Sequence, residues 1–373
     1  MDTDAAVGPA AVAGPIRLEP FRGLTLSPHR VGDPASARAF ARPYRDVPER
    51  LRQWERKHFL TRDPEPAVYV HEYTDGGVTV RGLVGALDVS ARTDVRDRHV
   101  WAHEGIHPAQ AGELAKRMAA MDLNPAPILL VHRGHADVRA LLDEIAGTPP
   151  QRVFTDRTGR QNRLWAIRPG PGLARLDAGL ADARTLIADG HHRYAAYLRM
   201  AENEPGSPAD RGLVMLVDQT DTPLYLGAIH RLLSGVRLDV LEEAAVGWGA
   251  VRRLPRAAAL DSLGPSTLVA TDGRAWLTIT ADVPPERALV ELLHDELVPR
   301  LPRRPRKVEY HHSVEEALAE LPARGTAVLL PAPDFDLVLR IVASGRLLPE
   351  KATSFQPKPS LGVLMRSLHD ERS

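Results

Sequence analysis

The residues best suited to chemistry stand in one run, Asp189-Gly190-His191-His192-Arg193. Gly190, His191, His192 and Arg193 suit a phosphate. The guanidinium offers a planar fork of donors, and the imidazoles can donate to oxygens or move a proton near neutral pH. Asp189 is the odd member, because a carboxylate repels phosphate. It makes sense if it holds a magnesium ion, receives the proton of a substrate hydroxyl or grips a substrate ammonium. The plainer reading makes Asp189 a helix N-cap and the histidines surface residues. Caps are common, but Gly-His-His-Arg directly after one is not.

Flanking segments give this run its place. Residues 186–188 read as a short buried strand, and Gly190 supplies a sharp turn. Tyr194, Tyr197, Leu198 and Ala201 then follow the i, i+3, i+4, i+7 spacing of an amphipathic helix. That helix is expected to end near Asn203, before Pro205-Gly206-Ser207-Pro208. The polar run therefore sits where a strand hands over to a helix. Unpaired backbone N–H groups and the positive end of the helix dipole favour anions there.

Four further places carry candidate chemistry. Glu104, in His103-Glu104, can act as a general base or a metal ligand, and its plain alternative is a solvated loop carboxylate. Residues 103–107 match H-E-x-x-H, but Gly105 and Pro108 make this a loop entering a helix, which argues against a metalloprotease. His230-Arg231 lies near an apolar strand end, and an isolated pair of this kind is more often structural. Lys351 and Lys358 can each neutralise a phosphate as a point charge. Arg300, Arg303, Arg304, Arg306 and Lys307 form a basic stretch interrupted by prolines and without interleaved aromatics. It reads as a solvated linker rather than a nucleic-acid footprint.

Composition narrows the classes. The 48 Lys+Arg residues balance 48 Asp+Glu, so no global field draws the chain to nucleic acid or an anionic membrane. There is no cysteine, which removes disulfides, zinc-thiolate sites and a cysteine nucleophile. The first residues make a poor signal peptide, and no apolar run reaches membrane-span length. A cytoplasmic protein is the expectation.

The length of 373 residues predicts two or three domains. Helices are predicted over 48–59, 108–121, 136–145, 172–183, 236–248, 285–297, 314–321 and 335–343. Strands are predicted over 67–73, 78–89, 128–132, 163–167, 213–217, 267–270, 275–280 and 327–330, and 226–233 reads as one short apolar segment. Hairpin signals mix with crossovers, so the class is α+β, mixed α/β. The expected division is a disordered arm over 1–16, an α/β region over 17–235 holding the Asp189 run, a C-terminal α/β domain over 236–345, and a tail over 346–373 returning toward the core.

The stretch IADGHHRY, ending at Tyr194, resembles the signature of domain of unknown function family 1015, a bacterial and archaeal family. The likeness covers nearly the whole chain. Pro20-Phe21-Arg22-Gly23-Leu24 resembles the family's opening, and His103-Glu104 its His-Glu segment. Leu164-Trp165-Ala166-Ile167 resembles the strand before the signature, and Ala228-Ile229-His230-Arg231 a Pro-Thr-His-Arg segment. Residues 348–358 resemble its closing Lys-Ser-Thr and Pro-Lys segments. Departures occur at Arg42-Pro43-Tyr44-Arg45-Asp46, where the family tends to Pro-Pro-Tyr-Asp, and at Gly227-Ala228, Ser354 and Gln356.

The signature is in turn similar to the Gly-x-x-Arg turn of the ParB and sulfiredoxin superfamily, whose members bind nucleotides and some of which are kinases of free serine. The resemblance implies a ParB/sulfiredoxin-like core with ATP or ADP and Mg as cofactors. It places Gly190, His191, His192 and Arg193 on phosphates, with His230, Arg231, Lys351 and Lys358 as further cofactor-binding residues. Asp189, Glu104 and His192 take the catalytic roles, and Asp189 the metal. The function so implied is a nucleotide-dependent phosphotransferase acting on a small hydroxyl compound such as a free amino acid. One alternative is a ParB-like nucleotide-gated DNA-binding or scaffold protein, against which the zero net charge and the want of a clear helix-turn-helix weigh. Another is a metal-dependent hydrolase using His103, His107, His191 and His192.

Overall fold

The computed structural model describes residues 7–12, 14–93 and 98–372. The chain forms two compact units. The first comprises residues 1–102, 106–224 and 357–373, and the second residues 103–105 and 225–356. Both units combine helices with sheet, mixed in the first and antiparallel in the second, so the class is α+β.

The first unit is built on a sheet of nine strands among the described residues. In spatial order these are Arg152–Thr155, Gln161–Ile167, Val68–Asp75, Val78–Asp88, Arg211–Asp218, Ile128–His132, Thr185–Asp189 and Val100–Trp101, with Leu18–Glu19 added on Val78–Asp88. The central strands read as unbroken apolar runs because both of their faces are covered. Ile128–His132 is buried at every position, and Thr185–Asp189 at all but the last. Gly76 and Gly77 join Val68–Asp75 to Val78–Asp88 with φ of +57° and +85°. Positive φ at both central residues is what a tight hairpin of right-twisted strands needs.

A four-stranded sheet in the same unit runs Leu60–Arg62, Gly23–Leu26, Met365–Ser367, Leu123–Asn124. Arg366 on its third strand is fully buried. Its Nε and Nη2 donate to the two carboxylate oxygens of Glu371 at 2.7 and 2.5 Å. The remaining donors reach Asn124 Oδ1 and the carbonyls of Arg211 and Pro208 at 2.7–3.0 Å. Glu371 keeps 18% of its side-chain exposure, but removing the buried guanidinium takes the donors from it, from Asn124 and from two carbonyls at once. Arg366→Met should therefore cost about 3–5 kcal/mol, read by urea unfolding at neutral pH.

The second unit carries a six-stranded sheet in the order Gly249–Arg253, Trp276–Ala281, Thr267–Thr271, Gly325–Leu329, His230–Ser234, Lys307–His311. Helices Arg256–Asp261 and Val314–Ala319 bury Ala259 and Ala317 with Leu232, Val269, Trp276, Ala327 and Leu329 of the sheet. Helix Phe335–Ala343 starts where Asp334 Oδ1 accepts from Leu337 N at 3.0 Å.

Several boundaries differ from the sequence expectation. The first unit gives way at 224/225 rather than at 235, because Tyr225–Gly227 pairs with Ser354–Gln356 and His230–Ser234 pairs with Gly325–Leu329 and Lys307–His311. The apolar segment 226–233 is thus parts of two strands in different sheets. The tail divides as well, with 346–356 in the second unit and 357–373 in the first. The expected loose arm is ordered where it is described. Ala11–Val12 pairs with Arg92–Thr93, Val12 and Ile16 are buried, and Tyr194 Oη donates to Ala10 O at 3.1 Å. The small apolar residues there find a surface to cover; residues 1–6 and 13 lie outside the described residues. Helix 285–297 shrinks to Leu289–Leu292 followed by a π turn, Leu293–Leu297.

Candidate active site at the strand–helix turn

Thr185–Asp189 pairs antiparallel with Ile128–His132 and parallel with Val100–Trp101. Asp189 stands opposite Leu129, just past a register shift between Leu129 and Leu130. A bulge of this kind bends a strand end and re-aims its last side chain. The helix His191–Asn203 follows at once, so His191, His192 and Arg193 form its first turn. Tyr194, Tyr197, Leu198 and Ala201 are buried, as the spacing requires. Ile106 and Ala111 pack with Ala195 and fix this helix against Pro108–Met121.

Gly190, not Asp189, caps the helix. It has φ +96° and offers no side chain, and its carbonyl takes Tyr194 N at 2.8 Å. A Cβ at this position would lie 2.9 Å from both Arg193 Nη2 and Ile128 Cγ2. Gly190→Ala therefore meets backbone strain and a clash together. It should destabilise the protein by about 1–3 kcal/mol in chemical denaturation.

The carboxylate of Asp189 lies between two cations. Lys358 Nζ reaches Oδ1 at 2.5 Å, and Arg193 Nη2 donates to Oδ2 at 2.6 Å. The three side chains keep 29%, 41% and 24% of their exposure, so the cluster is open to a ligand from solvent. Arg193 also donates through Nη1 to the carbonyls of Pro127 at 2.6 Å and Ala126 at 3.2 Å. The turn before Ile128–His132 thus sets the plane of the guanidinium. Sequence reasoning missed these carbonyls; the prolines at 125 and 127, which hold that turn, were the available signal.

The two histidines part company. His191 is buried under the helix start. His192 Nε2 accepts the backbone N–H of His107 at 3.1 Å, and the two rings stack with centroids 5.9 Å apart. A backbone N–H can only donate, so Nε2 carries no proton in this arrangement. His192 Nε2 thereby ties the start of one helix to the start of the other.

The remaining sequence candidates belong to the second unit. Glu104 is not a solvated loop carboxylate. It is part-buried, with 12% of its side chain exposed, and accepts from the N–H of Ala352 at 3.1 Å and from those of Lys351 and Thr353. Lys351 at φ +55° turns three successive N–H groups onto one carboxylate, an anion-binding nest. Burial pushes the Glu104 carboxyl up, while the Lys351 charge and these N–H groups oppose the shift. His103 Nε2 lies 2.6 Å from Thr353 Oγ1. Glu104 and Lys351 are thus brought together.

His230 and Arg231 are both buried on the strand His230–Ser234. His230 Nδ1 accepts Leu330 N at 3.2 Å. Burial, with the Arg231 charge beside it, holds this imidazole down at about 4. Arg231 donates to Ile229 O, Glu350 O and His294 Nε2 at 2.6–3.2 Å and lies over the Tyr310 ring. Burial lowers its guanidinium to about 10. The contacts of this pair are those of an interior brace. His103 to His107 precede the helix Pro108–Met121 rather than lying within it. Among the described residues, no group of three or more His, Asp or Glu side chains is placed to hold a metal by itself. No described helix is long and apolar enough to cross a membrane.

Three solved structures are among those to which the chain is similar. One is SbnI with a C-terminal truncation from Staphylococcus aureus, 12% identical, covering 76% of this chain and 87% of that one with a TM-score of 0.42. Another is a mutant free serine kinase in complex with ADP, 15% identical, covering 73% and 90% with a TM-score of 0.41. The third is a conserved hypothetical protein from Pyrococcus furiosus, 14% identical, covering 73% and 94% with a TM-score of 0.42. No curated protein matches the chain. Residues 18–286, well over half of the sequence, match the family described as protein of unknown function (DUF1015), and the chain belongs to that family.

Proposed function

We propose that this protein is a nucleotide-binding phosphotransferase that phosphorylates a small hydroxyl compound, such as a free amino acid, at the Asp189 turn. The observation that carries this reading is the carboxylate of Asp189 held between Lys358 and Arg193 at the start of a 13-residue helix. Two cations and a helix N-terminus suit the oxygens of ATP or ADP. The carboxylate suits the reacting hydroxyl.

In the step proposed, the hydroxyl oxygen attacks the terminal phosphorus and its proton passes to Asp189. The bridging P–O bond breaks, and the shortened nucleotide leaves with that electron pair. Lys358 and Arg193 release Asp189 and turn toward the transferring phosphoryl oxygens. A single part-exposed carboxylate also fits Mg²⁺, which takes one or two carboxylates with phosphate oxygens and water. Asp189 would hold it, and the ion would supply charge neutralisation between the phosphates.

Thermal melting with ATP or ADP and magnesium tests the reading. A ligand at about 100 times its Kd adds about 2.7 kcal/mol, which is several degrees in Tm for a protein of this size. Such a shift, reduced in Arg193→Met, is the expected result. No shift with either nucleotide at millimolar concentration sinks the proposal.

A further inference from the structure

Lys358 lies on residues 357–360, Pro-Lys-Pro-Ser, which form neither helix nor strand. A lysine ammonium rides on a flexible stem of four carbons, so holding it against one carboxylate requires a fixed backbone beneath it. The flanking prolines bring no N–H groups, and the segment is gripped through its carbonyls instead. Tyr73 Oη donates to Pro357 O at 2.7 Å, and Arg160 Nη1 donates to Lys358 O. Arg160 Nη1 also reaches Ser360 Oγ at 3.2 Å, and that hydroxyl donates to Asp156 Oδ2 at 2.8 Å.

The gripping residues are themselves braced. Asp156 is buried, and its Oδ1 accepts from Thr158 N, Thr158 Oγ1 and Arg160 N at 2.6–3.1 Å. Gly159, at φ +87°, closes this turn between strands Arg152–Thr155 and Gln161–Ile167. Arg160 is anchored by Asp75 Oδ2 at 2.5 Å and lies over the Tyr73 ring at 5.5 Å. These contacts hold the backbone at Lys358 and on both sides of it.

We propose that the hairpin turn 156–160 is a clamp that presents Lys358 to Asp189, with Arg160 as its positioning residue and Tyr73 as its second jaw. The functional consequence rests on the reading of Lys358 as a phosphate ligand; the placement does not.

The test is the rate at which an amine-reactive acyl ester labels Lys358, followed by peptide mass spectrometry on the full-length protein without nucleotide. An ammonium held on a carboxylate labels slowly, and losing one or two positioning hydrogen bonds should speed labelling about tenfold. Arg160→Met and Tyr73→Phe should both show this, and Asp189→Asn, which removes the acceptor, should set the upper limit. Where Arg160→Met fails to fold, Tyr73→Phe decides, because it removes one hydroxyl and keeps the ring. Wild-type labelling rates in folded Tyr73→Phe and Arg160→Met overturn the clamp. A purely supporting role for Arg160 would lower Tm without changing the reactivity of Lys358 below the melt. Faster labelling in a protein that binds no nucleotide keeps the clamp and removes the phosphotransferase reading. A nucleotide-induced Tm shift with unchanged labelling does the reverse.

Discussion

Asp189→Asn should lower the rate of phosphoryl transfer by about 10²–10⁴-fold while leaving the fold in place. The amide matches the carboxylate in shape but has no charge and cannot take a proton at neutral pH. One of its two ends also becomes a donor, facing either Lys358 or Arg193, which donate to opposite oxygens of Asp189. The stability cost should be small, because part-exposed ion pairs contribute about 0–1 kcal/mol. Nucleotide affinity measured without magnesium should hold or rise, since removing the carboxylate releases two cations and ends its repulsion of phosphate. The prediction is therefore a split: the nucleotide-induced Tm shift persists and transfer disappears. Transfer within about threefold of wild type would exclude Asp189 as the proton acceptor, and loss of both readouts would make it a structural brace.

The strand–turn–helix at the site was legible because its signals are local. The apolar run before Asp189, the glycine and the helical spacing from Tyr194 each act over a few residues, and all agree. The convergence of Lys358 on Asp189, 169 positions away, was not legible. Nothing in Pro-Lys-Pro-Ser says which carboxylate it meets, and the grip of Tyr73 and Arg160 arises only when three strands are assembled. The tie made by His192 was not legible for a related reason. Its partner is a backbone N–H at His107, and backbone groups carry no sequence signature. The sequence does not choose between a working Glu104 and a solvated one, because the nest at Lys351 depends on a left-handed residue that is not glycine. The bracing contacts of the His230-Arg231 pair follow from its place, since an arginine on an apolar strand must find carbonyls when the sheet is covered. The second unit was blurred at its borders because strands such as Lys307–His311 follow proline-rich stretches that hide their start.

The fold should lose stability steeply between pH 6.5 and 4, and buried histidines are the cause. His71, His132 and His230 are 2–5% exposed. Burial is the leading influence on each and holds all three at about 4, against an ordinary value of 6.5. His294 is lowered to about 4 as well, by burial and then by the Arg231 charge. Above pH 6.5 these rings are neutral whether the chain is folded or not, so they leave stability unchanged. As pH falls through 6.5 the unfolded chain takes up protons that the folded chain refuses, and the loss is complete only below about 4. Each ring contributes a slope of up to about 1.4 kcal/mol per pH unit in that window, so three or four together give about 4–5 kcal/mol per unit. That rivals the whole stability of an ordinary domain, about 5–15 kcal/mol. Local opening lets single rings protonate early and sets the observed slope below this bound. Carboxylates act elsewhere on the scale. Asp63, Asp156 and Asp218 are held low by their hydrogen-bond donors, so their share is lost only as pH falls further. Glu104 has the opposite sign, since its raised carboxyl binds a proton more readily when folded. Urea unfolding at several pH values from 7.5 to 4.5 reads the slope. His71→Gln keeps a donor for Asn162 Oδ1, which His71 Nε2 meets at 2.9 Å, and removes the titration. It should flatten the slope by about one ring's worth, and equal stability at pH 7 and pH 5 in the unaltered protein would show that these rings open to water before they protonate.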